Sequence, residues 1–485
     1  MTDAAVTTPA AEPAAPRRVL FVTGRLAEPA LRRVLADMKP PFTCDVAVLK
    51  ITVAALMTSD WIARNLHTPP EGTDLVLIPG LCEGDPAIIS DRFGVCVERG
   101  PKDVREIPRY FGGADVARDY GAWDIEILAE INNAPRLTRE ALVGAAEYFR
   151  ASGADLIDIG CTPGLSFPAL GEIVRELRAA EIRVSVDTFD ADEIRAAVAA
   201  GAELVLSVNR SNVEVAADLA GTGARVVVVP DLGGTLDTLD PTLETLARFG
   251  VPYLIDPILE PIGHGFTASL ERYVEVRRRY PQAEMLMGIG NLTELTAADS
   301  TGVHALLIAI CQELGVRAVL TTEVIPWARG AVREVDIARR LMHYAVTQQT
   351  IPKGVDDRLV TVKDPVVLTF TEGELRELQA AITDPNFRIF ADREAITVLN
   401  NERFVRSTDV TNIAEIFAQL DVDEAAHAFY LGKELARASL AVTLGKTYRQ
   451  EGALSWGYLT PPDEPTSAHV RLTQRSKRAA DTPDT

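Results

Sequence analysis

Eight short apolar runs alternate with helical patterns between residues 124 and 321, and this alternation is the strongest constraint on the fold. The runs are rich in Val, Leu and Ile, which is typical of strands buried on both faces. Eight strands that alternate with helices over about 230 residues predict an α/β fold, a (β/α)8 TIM barrel. A doubly wound sheet is the alternative, but it would have to end before eight equal repeats. The predicted strands are 124–132, 155–160, 182–187, 203–208, 225–230, 251–256, 284–290 and 316–321.

Two further domains flank the predicted barrel domain, 120–352. Residues 17–115 alternate strand and helix patterns, which predicts an N-terminal open α/β domain of the Rossmann-like kind. Residues 356–459 predict a C-terminal α+β domain. The two ends, 1–16 and 460–485, are rich in proline, alanine and polar residues and are predicted to be disordered. The predicted strands of the C-terminal domain are 366–370, 387–391 and 395–400.

The composition limits which binding partners and which cellular compartment are expected. With 49 Lys and Arg against 69 Asp and Glu, the chain has a formal charge of −20, which disfavours nucleic acid and anionic membranes as partners. An uninterrupted apolar run of about 18 residues does not occur, so a membrane span is not expected. The five cysteines have no C-x-x-C spacing and the N-terminus does not resemble a signal peptide, which indicates a cytoplasmic protein with reduced thiols.

Polar side chains stand at the ends of the predicted barrel strands, where the active sites of such barrels lie. Seven of the eight ends carry Asn or Asp. Either residue alone is explained by helix capping or by turns, but seven together are less easily explained in that way. Lys and His do not occur at these tips, which disfavours Schiff-base and histidine-base chemistry, whereas carboxylate and amide groups suit a flat heterocycle with several N–H donors. These strand-end residues are Asn132, Asp158, Asp187, Asn209, Asp231, Asp256, Asn291, Thr322 and Glu323.

The order of motifs from Asn132 and Pro135 through "GADLIDIG", "VSVDT", "LVLSVN" and "LIDP" resembles the superfamily of dihydropteroate synthases and pterin-dependent methyltransferases. Members of that superfamily are barrels that hold a pterin in the mouth. The resemblance implies a pterin site that includes Asp158, with Asp187 and Asn209 on one edge of the pterin and Asp256 on the 2-amino and N3 edge.

The same resemblance implies how the leaving group is held. Asn132 has the place of the synthase asparagine that helps to bind magnesium and the departing pyrophosphate, so Mg²⁺ is the expected cofactor, with Asn132 as a metal ligand. Asn132, Asp187 and Arg329 are the predicted catalytic residues.

Several synthase motifs are replaced in this chain. "CTPG" at 161–164 stands in place of the Ser-Thr-Arg-Pro-Gly loop, "MGIGNLTELT" replaces the Ser-Arg-Lys motif, and "TTEVIPWARG" replaces Arg-x-His. Ordinary folate synthesis is therefore disfavoured. Asn291 is similar to the asparagine of the methyltransferase branch that faces the methyl-bearing side of the pterin, so the resemblance implies that it too is a pterin-binding residue. The whole arrangement most resembles the long dihydropteroate synthase-related proteins of methanogens and methylotrophs, which are associated with tetrahydromethanopterin and an arylamine that carries a ribosyl phosphate.

Two features are candidate anion-binding groups. Arg329 and Gly330 precede the last predicted barrel helix and would place a cation and free N–H groups at its positive end, although a surface arginine is the alternative. His264, between two glycines after the sixth strand, would either donate to a phosphate or order its loop.

The leading hypothesis is a dihydropteroate synthase-like transferase that joins a (hydroxymethyl)dihydropterin pyrophosphate to an arylamine, a ribofuranosyl-aminobenzene phosphate, with release of pyrophosphate. Its partners would be small molecules, and a homodimer is expected by resemblance. A pterin-dependent methyltransferase acting with a corrinoid partner is the second hypothesis, although the chain lacks the Asp-x-His-x-x-Gly motif of a built-in corrinoid site. A non-catalytic pterin-binding protein of the same pathway is the third.

Overall fold

A computed structural model describes residues 18–112 and 120–460. The predicted disordered ends, 1–16 and 460–485, lie outside the described residues except for Thr460. The described residues form two compact units, one with the N-terminal sheet together with 309–317 and 339–352, and one with the barrel strands and the C-terminal domain. The division into two units does not test the predicted boundaries of the three domains, so those boundaries stay predictions. No helix within the described ranges is both long enough and apolar enough to cross a membrane.

The N-terminal domain is an open sheet of four parallel strands in the order β2-β1-β3-β4, as predicted for a Rossmann-like unit. Its central strands are buried because their side chains are almost all apolar. The strands are β1 Arg18–Gly24, β2 Thr43–Leu49, β3 Leu75–Ile78 and β4 Cys96–Arg99. The helices are α1 Glu28–Met38, α2 Ser59–Asn65, α3 Ala87–Phe93 and α4 Ile107–Tyr110.

Eight parallel strands close into a barrel, which confirms the predicted (β/α)8 fold. The ring closes where the last barrel strand pairs with the first, Ala318 opposite Glu126. The strands are β5 Glu126–Ile131, β6 Leu156–Gly160, β7 Val184–Asp187, β8 Leu204–Val208, β9 Arg225–Val228, β10 Tyr253–Ile255, β11 Glu284–Gly288 and β12 Ala318–Thr321. The helices are α5 Arg139–Ser152, α6 Leu170–Ala179, α7 Ala191–Ala199, α8 Ala216–Leu219, α9 Leu239–Phe249, α10 Phe266–Arg279, α11 Gly290–Thr293, α12 Ser300–Leu314 and α13 Ala331–Thr347.

The inside of the barrel is layered, because alternate residues of each strand face inward. On β5, Glu126 lies at the start of the strand, where Arg183 and Arg225 donate to its carboxylate at 2.9 and 2.8 Å. Leu128 lies two residues further on, in a layer of buried aliphatic side chains. Glu130 follows at the carboxyl end. The barrel interior therefore has ion pairs at the bottom and apolar side chains in the middle, and its polar strand-end groups lie at the top.

The C-terminal domain is an α+β unit with an antiparallel sheet in the order β13-β14-β15. The predicted strand at 366–370 is wrong: the segment pairs with no strand, and Val366 is largely exposed, so no apolar face holds it in a sheet. The strands are β13 Arg388–Ala391, β14 Ile396–Leu399 and β15 Phe404–Ser407. The helices are α14 Glu372–Ala381, α15 Ile413–Ala418 and α16 Ala425–Leu444.

Candidate functional site

The carboxylate of Asp187 lies within electrostatic range of both Asp158 and Asp256 at the top of the barrel. The charge of Asp187 contributes to raised pKa values of both Asp158 and Asp256, after burial as the main cause in each. Because β6, β7 and β10 run in the same direction around one ring, their carboxyl ends open into the same mouth. Three of the predicted site residues are therefore brought together.

Asp158 is completely buried, and one of its oxygens is left without a partner. Ser185, its register partner on β7, donates to Oδ1 at 2.6 Å. The other oxygen, Oδ2, has no hydrogen-bond partner among the described residues. Burial raises the pKa of Asp158 well above its ordinary value, with the charges of Asp187 and Glu130 adding to the effect. Because the neutral acid is favoured, Asp158 can donate a hydrogen bond into the mouth.

Glu130 is a member of this cluster that the sequence analysis missed. It lies opposite Asp158 across the β5–β6 pair. Burial, followed by the charges of Asp187 and Glu294, raises its pKa to about 7. Gly160 makes room for this side chain, because a Cβ at Gly160 would lie 2.5 Å from Glu130 Oε1. Glu130 is therefore a group that takes up and releases a proton near neutral pH.

Asp187 is oriented by an irregularity in the neighbouring strand. The pairing of β8 with β9 shifts between Val205 and Val208, which is a β-bulge. Within the bulge, Ser207 has a φ of 66°, an unfavourable value for a residue other than glycine, and its hydroxyl donates to Asp187 Oδ1 at 2.7 Å. Burial raises the pKa of Asp187, while the Ser207 hydrogen bond opposes this. The strained bulge thus places a donor on the carboxylate.

Asp256 is held in place by two donors to the same oxygen. The hydroxyl of Tyr273, a fully buried residue of α10, donates to Oδ1 at 2.6 Å, and the N–H of Ile258 donates to it at 2.8 Å. Ile258 has a φ of 67°, which is rare for a β-branched residue and marks a second strained position. Burial raises the pKa of Asp256 to about 6, against the lowering effects of Tyr273, Ile258 and Arg272.

The second oxygen of Asp256, Oδ2, has no hydrogen-bond partner among the described residues. A Cβ at Gly288, at the end of β11, would lie 3.9 Å from Asp256 Oδ2 and 3.5 Å from Asn291 Nδ2. Gly288 therefore keeps side-chain bulk away from the space between these two groups. Asn291 is exposed, and its Nδ2 donates to the carbonyl of Leu259 at 3.2 Å. This arrangement brings Asn291 next to Asp256, so two predicted pterin-binding residues share one side of the mouth.

Asn209 follows β8 and is buried, with part of its amide already used. Its Oδ1 accepts from the backbone and the hydroxyl of Ser211 at 2.9 and 2.6 Å. The amide nitrogen, Nδ2, has no protein acceptor within the described part of the chain, which leaves it available to a ligand acceptor. The predicted role of Asn209 on one edge of a pterin stays a prediction.

Asn132 lies beside Glu130 and Thr322. Its Oδ1 accepts from the Thr322 hydroxyl, and a side-chain hydrogen bond with Asn132 lowers the pKa of Glu130. In the described residues, no group of three or more His, Cys, Asp or Glu side chains could hold a metal ion. An amide oxygen can still supply one ligand to Mg²⁺ when substrate phosphates and waters supply the rest. The residues therefore fit a substrate-bound Mg²⁺ ion better than a site built by the protein alone.

The predicted anion-binding residues lie at the edge of the mouth or outside it. Arg329 is exposed, two residues before α13. Gly330 is buried, and the first turn of α13 already has an acidic partner, because the N–H of Val332 donates to Glu323 Oε1 at 3.1 Å. His264 is exposed, and its backbone N–H donates to Pro261 at 3.0 Å. The anion-binding roles of Arg329, Gly330 and His264 stay predictions.

The mouth is thus rich in carboxylates, which suits a ligand that carries several N–H groups. Its carboxylates are held by hydroxyl and backbone donors from Ser185, Ser207, Tyr273 and Ile258. Arg272, which lies behind Asp256, bonds to the carbonyls of Pro257 and Ile258. A carboxylate with one anchored and one open oxygen can accept two parallel hydrogen bonds from an aminopyrimidinone edge.

Three segments of the chain match known families. Residues 133–238 match the family described as pterin binding enzyme. Residues 382–451 match a family named PterinBD-DUF4346, and residues 17–102 match DUF6513, a family of unknown function. The closed barrel and the match over its first half define a TIM-barrel protein related to the pterin-binding enzymes, which confirms the resemblance predicted from the strand-end motifs.

Among individual proteins, uncharacterized protein MJ0107 of Methanocaldococcus jannaschii is 26% identical over 520 aligned positions, which cover 90% of this chain and 98% of that protein. A solved dihydropteroate synthase of Clostridium difficile is 20% identical, with a TM-score of 0.38, over 48% of this chain and 99% of that one. The Yersinia pestis enzyme is 17% identical, with a TM-score of 0.38, over 48% and 97%. The barrel assignment rests on the strand order of this chain itself.

Proposed function

We propose that the protein is a pterin-dependent transferase whose barrel mouth binds the pterin through Asp256. The observation that carries this proposal is the geometry of Asp256, with Oδ1 fixed by Tyr273 and Ile258 and Oδ2 next to the space left by Gly288. A carboxylate in this setting recognises the 2-amino and ring N–H groups of a pterin. The family match across residues 133–238 supports the same ligand class.

The reaction we propose is condensation of a (hydroxymethyl)dihydropterin pyrophosphate with a ribofuranosyl-aminobenzene phosphate. The arylamine nitrogen forms a bond to the pterin methylene carbon, the bond from that carbon to the pyrophosphate oxygen breaks, and the amine loses one proton. Glu130, with a pKa of about 7, is suited to accept that proton. Holding both reactants in line then supplies a further part of the rate acceleration.

Charge neutralisation of the leaving group is the second requirement. We propose that Mg²⁺ binds with the pyrophosphate and takes Asn132 as its protein ligand, where it would supply positive charge to the leaving oxygens. Arg329 is exposed and has no ion-pair partner among the described residues, so it can meet a phosphate that enters at the rim. The remaining predicted pterin contacts, Asp187 and Asn209, would orient the ring.

A second candidate function is pterin-dependent methyl transfer with a corrinoid partner, and the acid cluster favours it. Glu130, Asp158, Asp187 and Glu294 all have raised pKa values, with burial the main cause. Burial and mutual repulsion make the charged forms of these acids unfavourable, so a positively charged, protonated pterin in the mouth would relieve that cost, whereas a pyrophosphate without bound metal would add to it.

One experiment distinguishes these functions. The purified protein is incubated with Mg²⁺, the pterin pyrophosphate and the ribosylated arylamine phosphate, and pyrophosphate is measured against an Asp256→Ala control. Release that depends on Asp256 supports condensation. Methyl exchange from a methylated tetrahydropterin to a cobalamin, without pyrophosphate release, supports the second function. Pterin binding with neither reaction supports the non-catalytic pterin-binding protein and overturns both.

A further inference from the structure

A buried carboxylate on α13 lies at the centre of a hydrogen-bond network beside the mouth. Glu334 is within 2.7 Å of the Ser300 hydroxyl, the Thr301 hydroxyl and Nδ1 of His304, all on α12. The hydroxyl of Tyr458 donates to Glu334 Oε1 at 2.9 Å. Three of these partners belong to the barrel, whereas Tyr458 comes from the C-terminal domain. The network therefore joins the C-terminal domain to the barrel through one side chain.

The network extends to the two mouth segments that follow β11 and β12. The Ser300 hydroxyl is 3.0 Å from the carbonyl oxygen of Trp327, which lies in the β12–α13 loop (residues 322–330). The indole Nε1 of Trp327 donates to the carbonyl of Thr293 at 3.1 Å, in the β11–α12 segment (residues 289–299). Movement of one of these segments therefore disturbs the other.

Tyr458 also fixes the β12–α13 loop by direct packing. A Cβ at Gly330 would lie 2.5 Å from the Tyr458 hydroxyl oxygen, so the ring lies directly on the backbone of Gly330. Gly330 has a φ of 91°, a conformation that glycine adopts without strain. The N–H of Tyr458 donates to the carbonyl of Arg358 at 2.8 Å, which anchors the tyrosine to its own domain.

We propose that the C-terminal domain sets the geometry of the barrel mouth through Tyr458. Its hydroxyl and ring hold the β12–α13 loop, which carries Arg329, and through Trp327 they hold the β11–α12 segment, which carries Asn291. Tyr458 is a positioning residue, because it acts through Glu334 and Gly330. This inference gives the C-terminal domain a role that does not depend on which reaction the mouth catalyses.

Tyr458→Phe tests this role, because it keeps the ring and removes only the hydroxyl. Amide hydrogen exchange in the full-length protein should become about ten-fold faster in the β12–α13 loop and the β11–α12 segment, as expected when a charge-assisted hydrogen bond is lost. The barrel strands and the unfolding temperature should change little. The matched control is Tyr430→Phe, which removes a similar hydroxyl bond to Glu451 at 3.0 Å inside the C-terminal domain.

Gly330→Ala supplies a second, independent test of the packing contact. The added methyl group should displace the Tyr458 ring and accelerate exchange in the same two segments. Unchanged exchange in both segments for both variants overturns the proposal, as does faster exchange spread evenly over the barrel strands. The measurement needs no ligand, so its failure is distinguishable from failure of the proposed transferase function.

Discussion

If Asp256 binds the pterin as proposed, its hydrogen bond from Tyr273 should set the pH range of binding. With a pKa of about 6, Asp256 is about nine-tenths ionised at neutral pH. Tyr273→Phe removes the donor at 2.6 Å and leaves only the Ile258 N–H on that oxygen. A hydrogen bond to a charged group contributes about 1.5–3 kcal/mol, which corresponds to a pKa increase of about 1–2 units.

The expected pKa of Asp256 in this variant is therefore about 7–8, with an ionised fraction at neutral pH of about one half to one tenth. Because the ionised carboxylate accepts both N–H groups of the ligand, the affinity for 6-hydroxymethyl-7,8-dihydropterin should fall about two- to ten-fold at neutral pH. At about pH 9, where Asp256 is ionised in both proteins, the two affinities should agree.

Isothermal titration calorimetry across this pH range measures the shift. The matched control is Tyr280→Phe, which removes a tyrosine hydroxyl at the end of the same helix, where it bonds to Asp240 on the surface. An affinity loss of the same size at every pH would refute the reasoning, and so would a pH midpoint identical to that of the natural protein.

Three further predictions concern the charges inside the barrel. Glu130→Gln should raise the unfolding temperature at about pH 8 and not at about pH 4. Because the pKa of Glu130 is raised, the native state loses stability as pH rises from 4.5 to about 7, and the substitution removes that loss. Thermal denaturation that shows no gain at the higher pH would contradict this prediction. Glu126→Gln should lower the unfolding temperature at neutral pH. Burial raises the pKa of Glu126, but hydrogen bonds from Arg225 and Arg183 outweigh burial and lower it. The stability that these bonds contribute is lost as pH falls through the lowered pKa. An equal decrease in unfolding temperature at every pH would contradict this prediction. Gly160→Ala should lower the free energy of unfolding, measured in urea, by about 1–3 kcal/mol, because the added methyl group contacts Glu130. The double variant with Glu130→Ala should recover most of that free energy. No recovery would exclude the contact with Glu130 as the cause.

The barrel and its strand ends could be predicted from the sequence because both depend on local patterns. The runs that become β5 to β12 are mainly apolar, and a polar residue stands at or near the carboxyl end of each. Parallel strands in one ring must end at the same face, so the convergence of Asp158, Asp187 and Asp256 follows from their position alone.

Glu130 lies within β5 and is followed by Asn132, so the polar residues at the strand ends do not include it. It lies two residues before Asn132, and the alternation of side chains along a strand puts Leu128, Glu130 and Asn132 on the same inward face. The alternation along β5 therefore indicates that Glu130 faces the barrel interior. A polar residue at an inward position of a buried strand could have been identified from the sequence.

Other parts of the site depend on tertiary structure that no local pattern specifies. Tyr273 follows Asp256 by 17 positions, and their contact depends on how α10 packs against the barrel. Ser207 reaches Asp187 only because a bulge in β8 turns it inward. The link from Tyr458 to Glu334 spans 124 positions and joins two domains. Such contacts come from packing between elements, which the sequence pattern of either element alone does not reveal.

The central claim is that Asp256 anchors a pterin in the mouth of this barrel. Calorimetric titration of the natural protein and of Asp256→Ala with 6-hydroxymethyl-7,8-dihydropterin, at neutral pH, tests it most directly. Saturable binding with one site per chain in the natural protein, lost in Asp256→Ala while the unfolding temperature is maintained, is the predicted result. Equal affinity of the two proteins, or no binding by the natural protein, would contradict the claim.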